Sequence, residues 1–185
     1  MKIVCIGDSI TFGYGVKDNE NWISILNKNF DINFINKGLN GDTSSGMLFR
    51  SYEDIIKLNP DAVFLMGGTN DFLMNYEWNK TLENMIYLSK EIMNYSIKIY
   101  ICIQPPTNPI IAENYWDPFV DYEKVNIKID NYRKKIIEFC KNEGLDFFDF
   151  FTLFNNRKDE WDSLYIDGIH PSALGHKLIS EKIFL

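Results

Sequence analysis

The chain has 185 residues and a formal net charge of −7, from 26 acidic and 19 basic side chains. That length suits one domain, residues 1–185, able to bury most of its apolar surface without disulfides, and 45% hydrophobic with 24% charged residues excludes the composition of a disordered chain. The acidic balance, without any basic cluster, argues against nucleic acid as a partner and against stable membrane association, since both need Lys and Arg facing phosphate.

Short β-rich runs alternate with longer amphipathic ones, the pattern of βαβ units and a parallel sheet. A strand is expected at residues 2–6, a helix at 22–29, a second strand at 32–36 and a helix at 44–58. A third strand at 62–66 leads to a helix at 80–95, and a fourth at 98–103 precedes the long helix at 122–142. A fifth strand at 146–149 and a last helix at 172–183 complete an α/β chain with five strands. Several strands are apolar throughout, as strands covered by helices on both faces are. In the long helix Val125, Ile129, Tyr132, Ile136 and Phe139 keep one apolar stripe at helical spacing, with Gly144 as its C-terminal stop. Residues 104–121, with Pro105, Pro106, Pro109 and Pro118, read as one long connection without a helix of its own. Loops of that length tend to be lids or binding loops. Cys5, Cys102 and Cys140 are odd in number and lie in apolar segments, which suits buried reduced thiols. The apolar run before Gly7 is too short for a signal peptide, and no run approaches the ~20 apolar residues of a membrane span, so the expected location is cytoplasmic.

The chain's two histidines both lie near its C-terminus, and one closes the run Asp167-Gly168-Ile169-His170-Pro171. A carboxylate three residues before a histidine can reach the imidazole from its far side, fix its tautomer and stabilise the imidazolium. At the other end, Gly7-Asp8-Ser9-Ile10-Thr11 places a serine where the first strand leaves the sheet. Two further polar, glycine-containing clusters, Asn40-Gly41-Asp42-Thr43 and Gly67-Gly68-Thr69-Asn70-Asp71, follow the second and third strands. The carboxyl ends of parallel strands share one edge, so these scattered clusters converge there. They supply the inventory for acyl transfer: a hydroxyl nucleophile in Ser9, an imidazole base in His170, an orienting acid in Asp167, and neutral donors for an oxyanion from the Ser9 N–H, Gly41 N–H and Asn70 amide. His176, inside the last helix, is expected in a surface or packing role. Asp8, Asp42 and Asp71 are left outside the catalytic set as supporting acids, helix caps or turn formers. Two histidines six apart and three scattered thiols have no metal-ligand spacing, so no metal is expected.

These four blocks resemble those of the GDSL or SGNH hydrolase superfamily, in the same order and spread over residues 7 to 170. The resemblance implies a three-layer, flavodoxin-like α/β fold with a five-stranded parallel sheet. It also implies Ser9 as nucleophile, His170 as base, Asp167 as acid, and Ser9, Gly41 and Asn70 as oxyanion hole. The Gly-x-Ser-x-Gly elbow of α/β-hydrolases is absent, which disfavours that fold. The expected function is a serine esterase that cleaves a small-molecule carboxylic ester through an acyl-enzyme and needs no cofactor. Two alternatives stay open: an acyltransferase using the same triad, and a non-catalytic carbohydrate-binding protein on this fold. Tyr115, Trp116 and Phe119, on the 104–121 segment, are the candidates for lining an acyl or sugar pocket. Glu113, Asp117, Asp121 and Glu123, with no base among residues 113–123, point to small neutral esters, including acetylated sugars.

Overall fold

The computed structural model describes residues 1–184. Strand β1 (Lys2–Gly7) carries Ile3, Val4, Cys5 and Ile6, all fully buried. Beside it lie β2 (Asn33–Gly38) and β3 (Ala62–Leu65), followed by β4 (Lys98–Ile103) and β5 (Asp146–Asp149). The sheet has the order β2-β1-β3-β4-β5 with every neighbouring pair parallel, Val4 standing between Ile35 and Val63. In this doubly wound order the connections reverse direction between β1 and β3, where such folds open a crevice at the carboxyl ends of the strands.

Alternation along β1 sends Ile3 and Cys5 to one face of the sheet and Val4 and Ile6 to the other. Helices α2 (Trp22–Asn29) and α10 (Ala173–Lys182) cover the first face, where Trp22, Leu26 and Ile179 pack with Phe64 and Phe148. Helices α3 (Ser44–Asp54), α5 (Trp78–Asn94) and α7 (Tyr122–Glu143) cover the second, through Met47, Met85, Leu88, Ile129, Tyr132 and Ile136. The result is the three-layer α/β sandwich expected from the alternation of short and long segments. The three cysteines are buried and free, as their apolar surroundings predict. No helix among the described residues is long and apolar enough to cross a membrane.

The observed strands and long helices start and stop within two residues of the expected positions, with one exception. The helix expected to run to residue 58 ends at Asp54, because Ile55 leaves helical geometry (φ −121°, ψ −66°) and a short 3-10 turn, Ile56–Leu58, carries the chain to Asn59 in left-handed geometry. Five short helices were not legible from periodicity: α1 (Ser9–Phe12), α4 (Thr69–Leu73), α6 (Pro109–Tyr115), α8 (Phe150–Asn155) and α9 (Trp161–Leu164). The 104–121 connection is therefore not a bare loop. Asn108 caps α6, its side-chain oxygen accepting from the Ile111 N–H at 3.3 Å, and Pro109 occupies the first helical position, where the missing N–H costs nothing.

Candidate active site

Ser9 is the first residue of α1, immediately beyond β1, and the Asp8 carboxylate caps that helix by accepting the Ile10 N–H at 2.9 Å. Its Oγ lies 2.8 Å from His170 Nε2, and His170 Nδ1 lies 2.7 Å from Asp167 Oδ2. The other oxygen of Asp167 accepts two backbone N–H groups, from Ile169 at 3.0 Å and His170 at 2.8 Å. Burial alone would raise the Asp167 carboxyl, but the His170 ring and these backbone donors outweigh it and hold it below the usual carboxylate range. The loop itself is closed by an antiparallel bridge between Tyr165 and Pro171, with Ile166 N–H donating to the His170 carbonyl at 2.9 Å. At its tip Gly168 has φ +85°, and a Cβ there would stand 2.3 Å from the Ala112 nitrogen of α6. The Asn108 N–H donates to the Gly168 carbonyl at 2.7 Å. The helix inside the 104–121 connection thus rests directly on the loop that carries the imidazole.

Gly41 and Asn70 lie beyond β2 and β3, the two strands that flank β1. Leu39 to Asp42 form a turn closed by Asp42 N–H to Leu39 carbonyl at 3.1 Å, with Gly41 third at φ +77°. A Cβ on Gly41 would meet nothing within 4 Å, so the backbone conformation rather than space favours glycine there. Asn70 in α4 donates one amide hydrogen to the Asp42 carbonyl at 2.8 Å, which orients the group and leaves the second hydrogen uncommitted. Among the described residues no protein acceptor takes the Ser9 or the Gly41 N–H. The Asp42 carboxylate receives Arg50 Nε at 2.7 Å, and Arg50 also reaches Asp54 at 2.7 Å and the Gly7 carbonyl at 3.0 Å. One guanidinium therefore ties the loops after β1 and β2 together. Asp71 accepts both the N–H and the hydroxyl of Ser44. The three aspartates thus serve as a cap, an ion-pair partner and a tie between α3 and α4.

Of the aromatic candidates, Trp116 lies at the site, its ring 5.1 Å from that of His170. Tyr115 is 75% exposed. Phe119, almost wholly exposed, borders a separate hollow of about 270 Å³ with Phe72, Leu73 and Lys128. Tyr14, which nothing in the sequence singled out, lies against the imidazole at 4.5 Å between ring centroids. The one available signal was its place between two glycines just after the serine.

Two buried titratable groups complete the neighbourhood. His176 is not at the surface: it is fully buried in α10 and neither ring nitrogen finds a hydrogen-bond partner. Burial, aided by His170, pushes it down from 6.5 to about 4. Burial pushes Asp8 up from 3.8 to about 6 against the Ile10 N–H and His170, which favour its charge. The signs are opposite. His176 contributes stability that is present above pH 6.5 and lost as pH falls toward 4, whereas Asp8 contributes stability that is present below pH 3.8 and lost as pH rises through 6. In the wild type the two partly cancel. His176→Leu is therefore expected to gain about 2 kcal/mol more over wild type at pH 4.5 than at pH 8, measured by urea unfolding at both; an equal difference at both pH values would show that His176 is not held neutral by the fold.

The model of the GDSL-like lipase/acylhydrolase family matches this chain over residues 5–178. An arylesterase of Vibrio mimicus is 24% identical over 97% of this chain and 84% of its own length. The acetylxylan esterase of Geobacillus stearothermophilus is 23% identical over 97% of this chain and 90% of its own length. Among solved structures, a member of the lipolytic G-D-S-L family from Veillonella parvula superposes with a TM-score of 0.83 at 21% identity, covering 98% of this chain and 95% of that one.

Proposed function

Since the chain belongs to the GDSL-like lipase/acylhydrolase family, whose chemistry is ester hydrolysis, we propose that it is a serine esterase acting through Ser9, His170 and Asp167. The observation that carries this reading is the unbroken hydrogen-bonded chain from Ser9 Oγ through the His170 ring to Asp167, with contacts of 2.8 and 2.7 Å. Ser9 Oγ attacks the ester carbonyl as His170 Nε2 takes its proton, and Asp167 stabilises the imidazolium. The tetrahedral oxyanion is held by the Ser9 and Gly41 N–H groups and the free amide hydrogen of Asn70. Collapse expels the alcohol, which takes the proton from His170, and water then releases the acyl group by the same steps. The substrates are small neutral esters, with acetyl groups on a carbohydrate as the first class to try. The acetylxylan esterase among the relatives and the acidic residues of the 104–121 segment support that choice.

The test is covalent. A fluorophosphonate probe should label the wild type at Ser9, in parallel with p-nitrophenyl acetate hydrolysis, and Ser9→Ala should lose both. A variant without Ser9 that still turned over the ester would sink the assignment.

A further inference from the structure

Tyr14 and Trp116 meet at 89° with ring centroids 6.4 Å apart, and both rings touch His170. The imidazole beside them is 3% exposed, while Tyr14 and Trp116 are 41% and 47% exposed. The two rings thus stand half-exposed beside the base.

Which half of an ester meets that corner follows from the directions in which the groups approach Ser9. Gly41 and Asn70 precede or begin α3 and α4, on the sheet face covered by α3, α5 and α7. His170 precedes α10, on the face covered by α2. On the reading that Ser9 is the nucleophile, the carbonyl oxygen turns toward Gly41 and Asn70, while the leaving oxygen must come within about 2.6–3.2 Å of His170 Nε2 to receive its proton as the carbon–oxygen bond breaks. The alcohol half therefore leaves on the histidine side, against the two rings. We propose that Tyr14 and Trp116 wall the subsite for the alcohol, not the acyl group, and that this alcohol presents a ring face, as a pyranose does. Beyond Tyr14, a hollow of about 390 Å³ bordered by Phe12, Asp18 and Ser24 gives room for an alcohol larger than one ring.

The experiment compares two primary acetates of equal carbon count, cyclohexylmethyl and heptyl acetate, so that leaving-group chemistry is matched and ring shape differs. A second series holds the alcohol as ethanol and lengthens the acyl group from acetyl to hexanoyl. Tyr14→Leu and Trp116→Leu keep apolar volume and remove the flat face. In each variant the ratio of kcat/KM for the cyclohexylmethyl over the heptyl ester should fall about fivefold, the scale of one lost ring contact, while the acyl-length profile keeps its shape. A changed acyl profile with an unmoved ring-to-chain ratio would overturn the proposal and make the corner an acyl wall. Equal losses on every ester would reduce the rings to supports of the imidazole and overturn it too. Failure of the esterase reading looks different: no ester would turn over and no fluorophosphonate would label Ser9 in the wild type, and this inference would fall with it.

Discussion

Ser9→Ala and His170→Ala should each lower kcat by about 10⁴-fold or more, and the double variant should lose little beyond either single one. The reason, on the proposed mechanism, is the 2.8 Å contact between Ser9 Oγ and His170 Nε2, which would make the two groups participants in one proton transfer. Without the imidazole the hydroxyl is a weak nucleophile, and without the hydroxyl the imidazole has no proton to take. What remains in either variant is the stabilisation offered by the oxyanion donors, which neither substitution of His170 nor the double change removes. Steady-state rates on a single acetate ester, with folding checked by near-UV circular dichroism, decide the matter. Losses that multiplied in the double variant would mean that the residues act in separate steps.

Asp167→Asn is expected to cost about 10⁴-fold in kcat with little change in KM, although the side chain keeps its size and shape. The two backbone N–H groups of Ile169 and His170 already point at one carboxylate oxygen. An asparagine must place its carbonyl oxygen there, because its NH2 would face two donors. The NH2 then faces His170 Nδ1 and donates to it, which leaves the proton on Nε2 and removes the acceptor that Ser9 needs. Asp167→Ala lacks that misdirecting donor, so its loss should be no greater than that of Asp167→Asn. If Asp167→Asn retained wild-type kcat, the carboxylate would not be setting the tautomer.

Much of this arrangement was legible in the sequence because a parallel sheet gathers the ends of its strands at one edge. Once residues 2–6, 32–36 and 62–66 are read as strands from their apolar or β-branched runs, the residues just beyond them have to be neighbours. The Asp167 to His170 spacing was equally readable, since a three-residue separation lets a short loop close on itself. Other features left no periodic trace. Helices of four to seven residues, such as α1 and α6, complete one or two turns, too few for an apolar stripe to stand out. His176 reads as polar on any scale, and only the packing of α10 on α2 and α9 decides that it is buried. Tyr14 reaches His170 across a sequence separation that no local pattern encodes. Trp116 was picked out for its loop, but its position against the imidazole depends on α6, which that reading did not include.

The seating of α6 on Gly168 bears on how selectivity in such an enzyme can be altered. The Asn108 N–H holds the Gly168 carbonyl, the start of α6 fills the space a Cβ would need, and the Tyr165 hydroxyl donates to the Pro106 carbonyl. Residues 104–121 are therefore not an interchangeable cassette laid over a finished machine. A segment transplanted from a relative would bring its own pressure on the turn between Asp167 and His170, and misplacement of an imidazole by about 1 Å can cost 10²-fold in rate. Point changes on the exposed faces of α6 leave that seat untouched. Drift in preference by single substitutions is accordingly the open route for this scaffold, while exchange of whole segments demands compensating change at the histidine turn.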